Sequence, residues 1–555
     1  MRARTSSTSA LPTEPQATGG PANSQWPDGH PRRRLILLVL CLSLLVGVID
    51  NTVLNTALPT LARVLHAGTS SLQWIVDSYT LCFAALLIPA GALADRYGRR
   101  LSLIGGLGVF ALGSLAAAFA PNTGVLIADR VLMGFGAAFV MPATLSILNS
   151  VFPPHERPQA IAAWSAVAGV GIIVGPTLGG FLLSHFWWGS VFLVNAPIVA
   201  VALAGVLWVV PETADPGRRS LDIVGTLLVG GALVAIVDAI IEAPTRGWTG
   251  GGTLAEAAAG LVALAIFVVW ELRVEHPLID LRIFSSRAFT AASGSITVTF
   301  FALFGSLFVF TQYLQLVHGY SPLSAGVRAL PFAFATGAVS PLSPILARRL
   351  GNRAVISTGL VLMGLGLLDL STARVDTGYP ALALAVAIMG AGMGLVMAPA
   401  SSTIMTTVPA HQAGAGSAVN DTIREVGGSL GVAIVGSLTA AVYRNRLSAR
   451  LVAHQAPGLV VHLATGSIAA ADSVGKSIGG VRGLEIVQAA HDSFTTAMVL
   501  GLRVAGGIAV AAGIAALGLI PRSRQVVTEV TPSEAELVAE VAPSEVELVA
   551  AGSPA

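Results

Sequence analysis

The stretch LLVGVIDNTVLNTALPTL, residues 44–61, sets a single aspartate, Asp50, inside an otherwise apolar run. A charged carboxylate at the centre of a bilayer costs about 2.5–3.5 kcal/mol on insertion scales. The composition places this run in a membrane. Of 555 residues, 54% are hydrophobic and only 11% charged, with a mean hydropathy of +0.77. A soluble chain carries roughly 25% charged residues. Apolar segments recur from Leu35 to Ile520, and about 20 such residues cross the ~30 Å of hydrocarbon. The chain therefore reads as an all-α polytopic membrane protein.

Working outward, hydropathy predicts fourteen spans. The first covers 35–59, the second 72–94, the fourth 124–150 and the fifth 159–185. The seventh and eighth cover 221–243 and 253–271, and the last two 413–443 and 494–520. Residues 1–34 are rich in Pro, Ser, Thr and Gly and read as a disordered tail. Arg32, Arg33 and Arg34 precede the first run, but no small-residue cleavage site follows, so that run is a helix and not a signal peptide.

An even number of spans puts both termini on one side. Loops after even-numbered helices hold Arg96, Arg99, Arg100, Arg157, Arg348 and Arg349, whereas the short opposite loops hold only Arg63, Arg246 and Arg374. Both termini are thus expected in the cytoplasm. The segment 444–493, read as a long extracellular loop, runs against that bias; long loops weigh little in orientation. The net charge of +2 points to no nucleic-acid partner. Cys41 and Cys82 lie in apolar segments and read as small core residues, not as a metal site.

LADRYGRR at 93–100 and LARRLGNR at 346–353 share one frame at an offset of 253 residues. Either two parallel halves have arisen by duplication, or short basic turns simply look alike. Duplication divides the chain into a six-helix bundle at 35–211, an extra helix pair with its linkers at 212–287, and a second bundle at 288–520. Residues 521–555 contain PSEAELVAEVA followed by PSEVELVAAGS and read as a disordered acidic tail.

At 1.5 Å per residue, Asp50 sits about 22 Å from the start of its helix, while Arg130 and Asp77 lie about 9 and 8 Å inside the opposite face. The three fall near one level. Intramembrane ionisable groups face the bundle interior and pair with one another. Asp50 is therefore a candidate proton carrier tuned by Arg130; the competing reading is a static ion pair that fixes packing. Residues 169–182, GVGIIVGPTLGGFL, place Gly171, Gly175, Gly179 and Gly180 around Pro176. Small residues four apart admit a close helix neighbour, and the proline removes a backbone hydrogen bond.

Gly91, Asp95, Arg96, Gly98, Arg99 and Arg100 resemble the cytoplasmic loop signature of the major facilitator superfamily. RVLMGFGAA resembles its fourth-helix motif through Arg130 and Gly134, and the glycine–proline stretch resembles its antiporter motif. IDNTVLNTALP, LQWIVDSYTL and SAVNDTIREVGGSLG are similar to segments of the fourteen-helix drug:proton antiporters. Met133 stands where that family often has glutamine, and WWGSVFLVNAP lacks an arginine usual between its aromatics.

The resemblance implies the superfamily fold, two six-helix bundles plus two added helices. It also implies efflux of a hydrophobic cationic or amphipathic drug or antibiotic from the cell membrane by a monomer. The energy source would be the proton motive force, with no cofactor. One proton supplies about 2.3 kcal/mol per 100 mV and about 1.4 kcal/mol per pH unit. Together these sustain roughly a 500-fold gradient of a neutral compound. Asp95 and the arginines after it read as a latch on the cytoplasmic gate, or as positive-inside anchoring alone. Asp77, Asp238, Asp369, Met133 and Trp74 are candidate substrate contacts; each acid is equally an interfacial carboxylate. Export of an endogenous metabolite or lipid, or a non-transporting receptor of the same fold, are the alternatives. No nucleophile, metal-ligand set or acid pair suggests an enzyme.

Overall fold

The structure, a computed structural model, describes residues 26, 28–214, 222–275, 277–408 and 413–521. It contains helices and no strand among the described residues. In the first half, α1 spans Arg33–Val64, α2 Thr69–Tyr97, α3 Arg99–Ala118, α4 Thr123–Val151 and α5 Arg157–His185. The short α6, Ser190–Leu193, continues into α7, Asn195–Val209. The added pair is α8, Ile223–Arg246, and α9, Gly251–Glu271. In the second half come α10, Arg287–Gln312, α11, Pro322–Arg328, α12, Leu330–Val339, and α13, Leu342–Leu350. Then follow α14, Asn352–Leu370, α15, Tyr379–Thr407, and α16, Ala413–Ala453. Two short helices, α17 (Gly458–Ala464) and α18 (Ile468–Ile478), lead into α19, Gly480–Leu519.

Thirteen helices are long and apolar enough to cross a membrane, and a fourteenth is the bent unit α11–α13. That unit turns by 50° between Val339 and Leu342, where Pro341 supplies no amide proton and its ring crowds the preceding turn.

Segment 444–493 differs from the expected loop. α16 continues to Ala453, and α19 begins at Gly480, fourteen residues before the predicted span. Between them α17 and α18 fold over the bundle. Tyr443 Oη donates to the Ala464 carbonyl at 3.0 Å, and Thr69 N donates to the Gly466 carbonyl at 3.3 Å. Ile468, Ala469 and Ala471 are buried in the main core. Hydropathy missed these helices because they rest on the bundle end and never cross it. We refer to this as the capped end, and to the end bearing the two arginine turns as the basic end.

The tail before α1 is also packed where it is described. His30 N donates to the Val151 carbonyl at 2.8 Å, and Trp26 lies against the core. Arg33 grips Glu156 at 2.6 Å, and that hydrogen-bonded guanidinium holds the Glu156 carboxyl below the usual range. The repeat in 521–555 falls outside the described residues.

Contacts between the halves gather toward the capped end. Gln73 of α2 donates through Nε2 to the Val432 and Ala433 carbonyls and to Ser437 Oγ of α16, at 2.9, 3.0 and 3.2 Å. Gln315 donates to the Thr56 carbonyl at 2.8 Å. At the basic end, no hydrogen bond or ion pair among the described residues joins the 93–100 turn to the second half, or the 346–353 turn to the first. Among the described residues, the polar contacts between the halves thus lie toward the capped end.

Candidate functional site

Asp50 sits on α1 where two other helices converge. One carboxylate oxygen accepts from Arg130 Nη1 of α4, and the other from Asn195 Nδ2 of α7 at 2.9 Å. Asp50 is 2% exposed and Arg130 0%. Arg130 also donates through Nε to the Ile75 carbonyl at 3.1 Å. Its guanidinium lies 4.3 Å from the centre of the Tyr79 ring, an attractive cation–π geometry. Its Nη2 has no partner. Asn195 reaches on to Ser114 Oγ at 3.1 Å, and Ser114 donates to the Phe192 carbonyl at 2.8 Å. Two opposite charges therefore share a dry site, each held by further hydrogen bonds. Removing one partner of such a pair leaves an uncompensated buried charge, at a cost of about 3–5 kcal/mol.

Sequence reasoning reached Asp50 and Arg130 but missed Asn195 and Tyr79. Asn195 stands inside the quoted VNAP stretch, a polar amide in an apolar span, and that was the available signal. Tyr79 carried none, since an aromatic ring in a membrane helix reads as packing.

The remaining candidates divide. Met133 is fully buried, its sulfur 3.9 Å from Arg130 Nη1, so it packs behind the ion pair. Asp77 faces α16 and not the pair. It is 0% exposed and neither oxygen has a hydrogen-bond partner. The Ser429 hydroxyl of α16 lies across from it. Trp74 packs beside Leu81, Val237, Ile241 and Ala433, joining α2 and α16 to the added pair. Asp238 bonds Arg246 at 3.3 Å within that pair, and Arg246 also holds Glu256 at 2.9 Å. Asp369 is exposed near the end of α14. None of these three lines the cavity between the halves.

The signature turn is built locally. Arg99 Nε donates to Asp95 Oδ1 at 2.7 Å. Gly98 has φ +120°, a backbone region that favours glycine. Glu212 accepts from Arg100 N and Leu101 N at 3.1 and 3.2 Å, a carboxylate at the positive end of α3. Arg100 donates to the Leu207 carbonyl at 2.7 Å. Arg96 lies 5.3 Å from the Tyr97 ring centre. Gly91 faces Pro142 of α4.

The glycine strip of α5 is a contact surface on two sides. A Cβ on Gly175 would stand 1.8 Å from Thr52 Oγ1 of α1, and one on Gly180 2.5 Å from Leu323 Cα of α11. Gly171 and Gly179 face Val48 and Val53 of α1. The Pro176 carbonyl lies 2.2 Å from where a Cβ of Gly326 would be. α5 remains one continuous helix through Pro176. These backbone approaches close the capped end.

Between the halves lies a cavity of about 90 Å³, walled by α1, α5, α10, α11, α12, α14 and α15.

Residues 40–432 match the Major Facilitator Superfamily. The multidrug resistance protein Stp of Mycobacterium tuberculosis is 38% identical over 408 residues, 73% of this chain and 76% of the relative. The tetracenomycin C resistance and export protein of Streptomyces glaucescens is 32% identical, over 87% of this chain and 90% of the relative. The methyl viologen resistance protein SmvA of Salmonella typhimurium is 35% identical, over 86% and 96%. A bacterial homolog of the human lysosomal transporter Spinster, solved inward-facing and unoccupied, superposes with a TM-score of 0.64. It is 17% identical and covers 88% of this chain and 98% of its own, a likeness of fold. Helix count, the arginine turns at 93–100 and 346–353, and these matches converge: the chain belongs to the major facilitator superfamily, among relatives named for drug resistance and efflux.

Proposed function

We propose that this protein is a proton-coupled efflux pump that expels hydrophobic drugs or antibiotics from the cytoplasm. The observation that carries this reading is the buried Asp50–Arg130 pair, braced by Asn195, in a bundle whose halves bond one another toward the capped end. Arginine-rich turns belong on the cytoplasmic face, so the basic end is cytoplasmic and both termini lie on that side. The monomer is the transporting unit.

The cycle follows from the contacts. Cargo enters between the halves from the cytoplasm or the inner leaflet while the capped end is sealed. Asp50 gives up its proton on this side, and the carboxylate is then held by Arg130 and Asn195. The halves rock: the basic turns meet, with Asp95 free to leave Arg99 and latch across. At the capped end the α5–α11 and α2–α16 contacts separate. Cargo leaves, Asp50 takes a proton from outside, and the bundle returns. Asp77, wedged beside the α2–α16 seal, meets water only when that seal opens.

Everted vesicles under an imposed proton gradient test the reading. Adding substrate should release protons, and Asp50→Asn should insert normally yet lose uphill transport. Undiminished uphill transport by that variant would refute it. The tetracenomycin exporter among the relatives favours one second reading, export of an antibiotic made by the same cell.

A further inference from the structure

Resting on the efflux reading, we propose that Arg328 is the positioning residue of the outer gate. Its guanidinium, clamped between the rings of Tyr320 and Tyr379, holds α11 where its backbone closes against α5. The gate needs such a hold. α11 has only seven residues, and α12 begins anew at Leu330 and Pro331. A helix that short has little stability of its own. Yet its Pro322–Leu323 backbone abuts Gly180, and its Gly326 abuts the Pro176 carbonyl, with no room for a Cβ at either glycine.

Arg328 lies about 200° round the helix from Gly326 and about 140° from Leu323, so it leaves α11 on the side turned from α5. Its guanidinium carbon lies 4.0 Å from the centre of the Tyr320 ring and 5.1 Å from that of Tyr379. Tyr320 stands in the turn before α11, and Tyr379 opens α15. Arg328 Nη1 donates to the Ser324 carbonyl at 3.2 Å and also to Ser324 Oγ. Tyr379 Oη donates to the Arg328 carbonyl at 3.3 Å. His318 extends the array, stacked on Tyr320 with ring centres 5.4 Å apart. The clamp thus fastens α11 to its neighbours in the second half, and all of them travel together when the halves rock.

Two plainer roles fit less well. Among the described residues, no carboxylate forms an ion pair with Arg328. An arginine that merely anchors a helix end stretches its head group into water, whereas Arg328 is half-buried and its Nε is buried without a partner. Aromatic faces stand where an anion or water would, and their attraction for a cation grows as the site dries.

The gate is read by alkylation of Ala325→Cys, a buried position of α11. A membrane-impermeant maleimide is applied to intact cells expressing the full chain, and the chain with only Cys41 and Cys82 gives the background. Adding Arg328→Gln should speed labelling about tenfold, because two ring contacts are lost. Arg328→Lys keeps the cation and should stay within about threefold of the Ala325→Cys parent. Tyr320→Leu should speed labelling about fivefold, Tyr320→Phe should match the parent, and Tyr320→Leu should add little to Arg328→Gln.

Equal rates for Arg328→Gln and the parent overturn the assignment, as does Arg328→Lys labelling as fast as Arg328→Gln. So do fully additive effects in the double variant, which would mean loosened packing without a clamp. If Arg328→Gln fails to reach the membrane, the Tyr320 variants decide, and equal rates for Leu and Phe overturn the assignment. Ethidium-driven proton flux in everted vesicles separates this inference from the one beneath it. Flux that is lost in Asp50→Asn, together with unchanged labelling in Arg328→Gln, removes the clamp and leaves the efflux reading standing. The expected labelling order without flux supports the clamp and counts against the efflux reading.

Discussion

Asp50 and Asn55 lie five residues apart on α1, yet they occupy opposite environments. Five helical steps turn a side chain through about 140° beyond a full circle and raise it about 7.5 Å. Asp50 thereby faces α4 and α7, where Arg130 and Asn195 satisfy both of its oxygens. Asn55 faces the second half, on an uncharged wall that leaves its carbonyl unpartnered. One helix thus borders a charged, dry compartment on one face and an apolar, open one on the other. In the cycle proposed above, proton and cargo do not compete for one group. They communicate through the position of α1, which the glycine strip of α5 holds by backbone approach.

The sharpest way to break this comparison is Asp50→Asn. Positioned proton-transfer groups contribute roughly 100-fold or more to rate, and substrate-driven proton flux should fall by at least that factor while cargo still binds in nanodiscs. If cargo binding is lost as well, the two compartments are one. Gly180→Val comes next. It drives a side chain into the Leu323 backbone of α11, and overpacking costs about 1–3 kcal/mol, so the sealed state should lose roughly 5- to 150-fold in population. Alkylation of a cysteine placed at Ala325, a buried position of α11, reports the change as faster labelling; equal rates in both backgrounds would mean that α5 does not hold the seal.

Asn195→Ala removes one of the two donors to Asp50. A net hydrogen bond of about 1 kcal/mol predicts roughly a fivefold fall in transport, with cargo affinity unchanged. A fall in cargo affinity alone would put Asn195 in the wrong compartment. Asp95→Asn should lower turnover about threefold, the scale of an exposed ion pair, without altering topology; full activity would reduce the signature turn to anchoring. Trp74→Ala bounds the series. It should lower the melting temperature of the purified protein and leave turnover per folded molecule as it was, because the ring supports the added helix pair away from the cavity.

Within the site, legibility followed cost. A carboxylate and a guanidinium in apolar runs stand out because their burial is expensive, so Asp50 and Arg130 could be read directly and their helix depths matched. The same rule also marked Asp238 and Asp369, yet one is tied to Arg246 within the added pair and the other is exposed at a helix end. Hydropathy measures how far along a helix an acid lies and says nothing about which way it turns. Asn195 is cheap to bury when hydrogen-bonded, so composition does not flag it, and its role emerges only from neighbours contributed by other helices.

By itself, the order of apolar runs determined the fourteen-span plan, and Asp50 with Arg130 the expectation of a buried pair. These follow from the price of polar groups in hydrocarbon, which each residue meets regardless of its partners. Tertiary structure alone decided that residues 444–493 fold into a helical cap, that Asp77 faces α16, and that the cavity wall carries no charge. Those outcomes depend on helix rotation and on contacts across the two halves, set by packing between residues far apart in the chain.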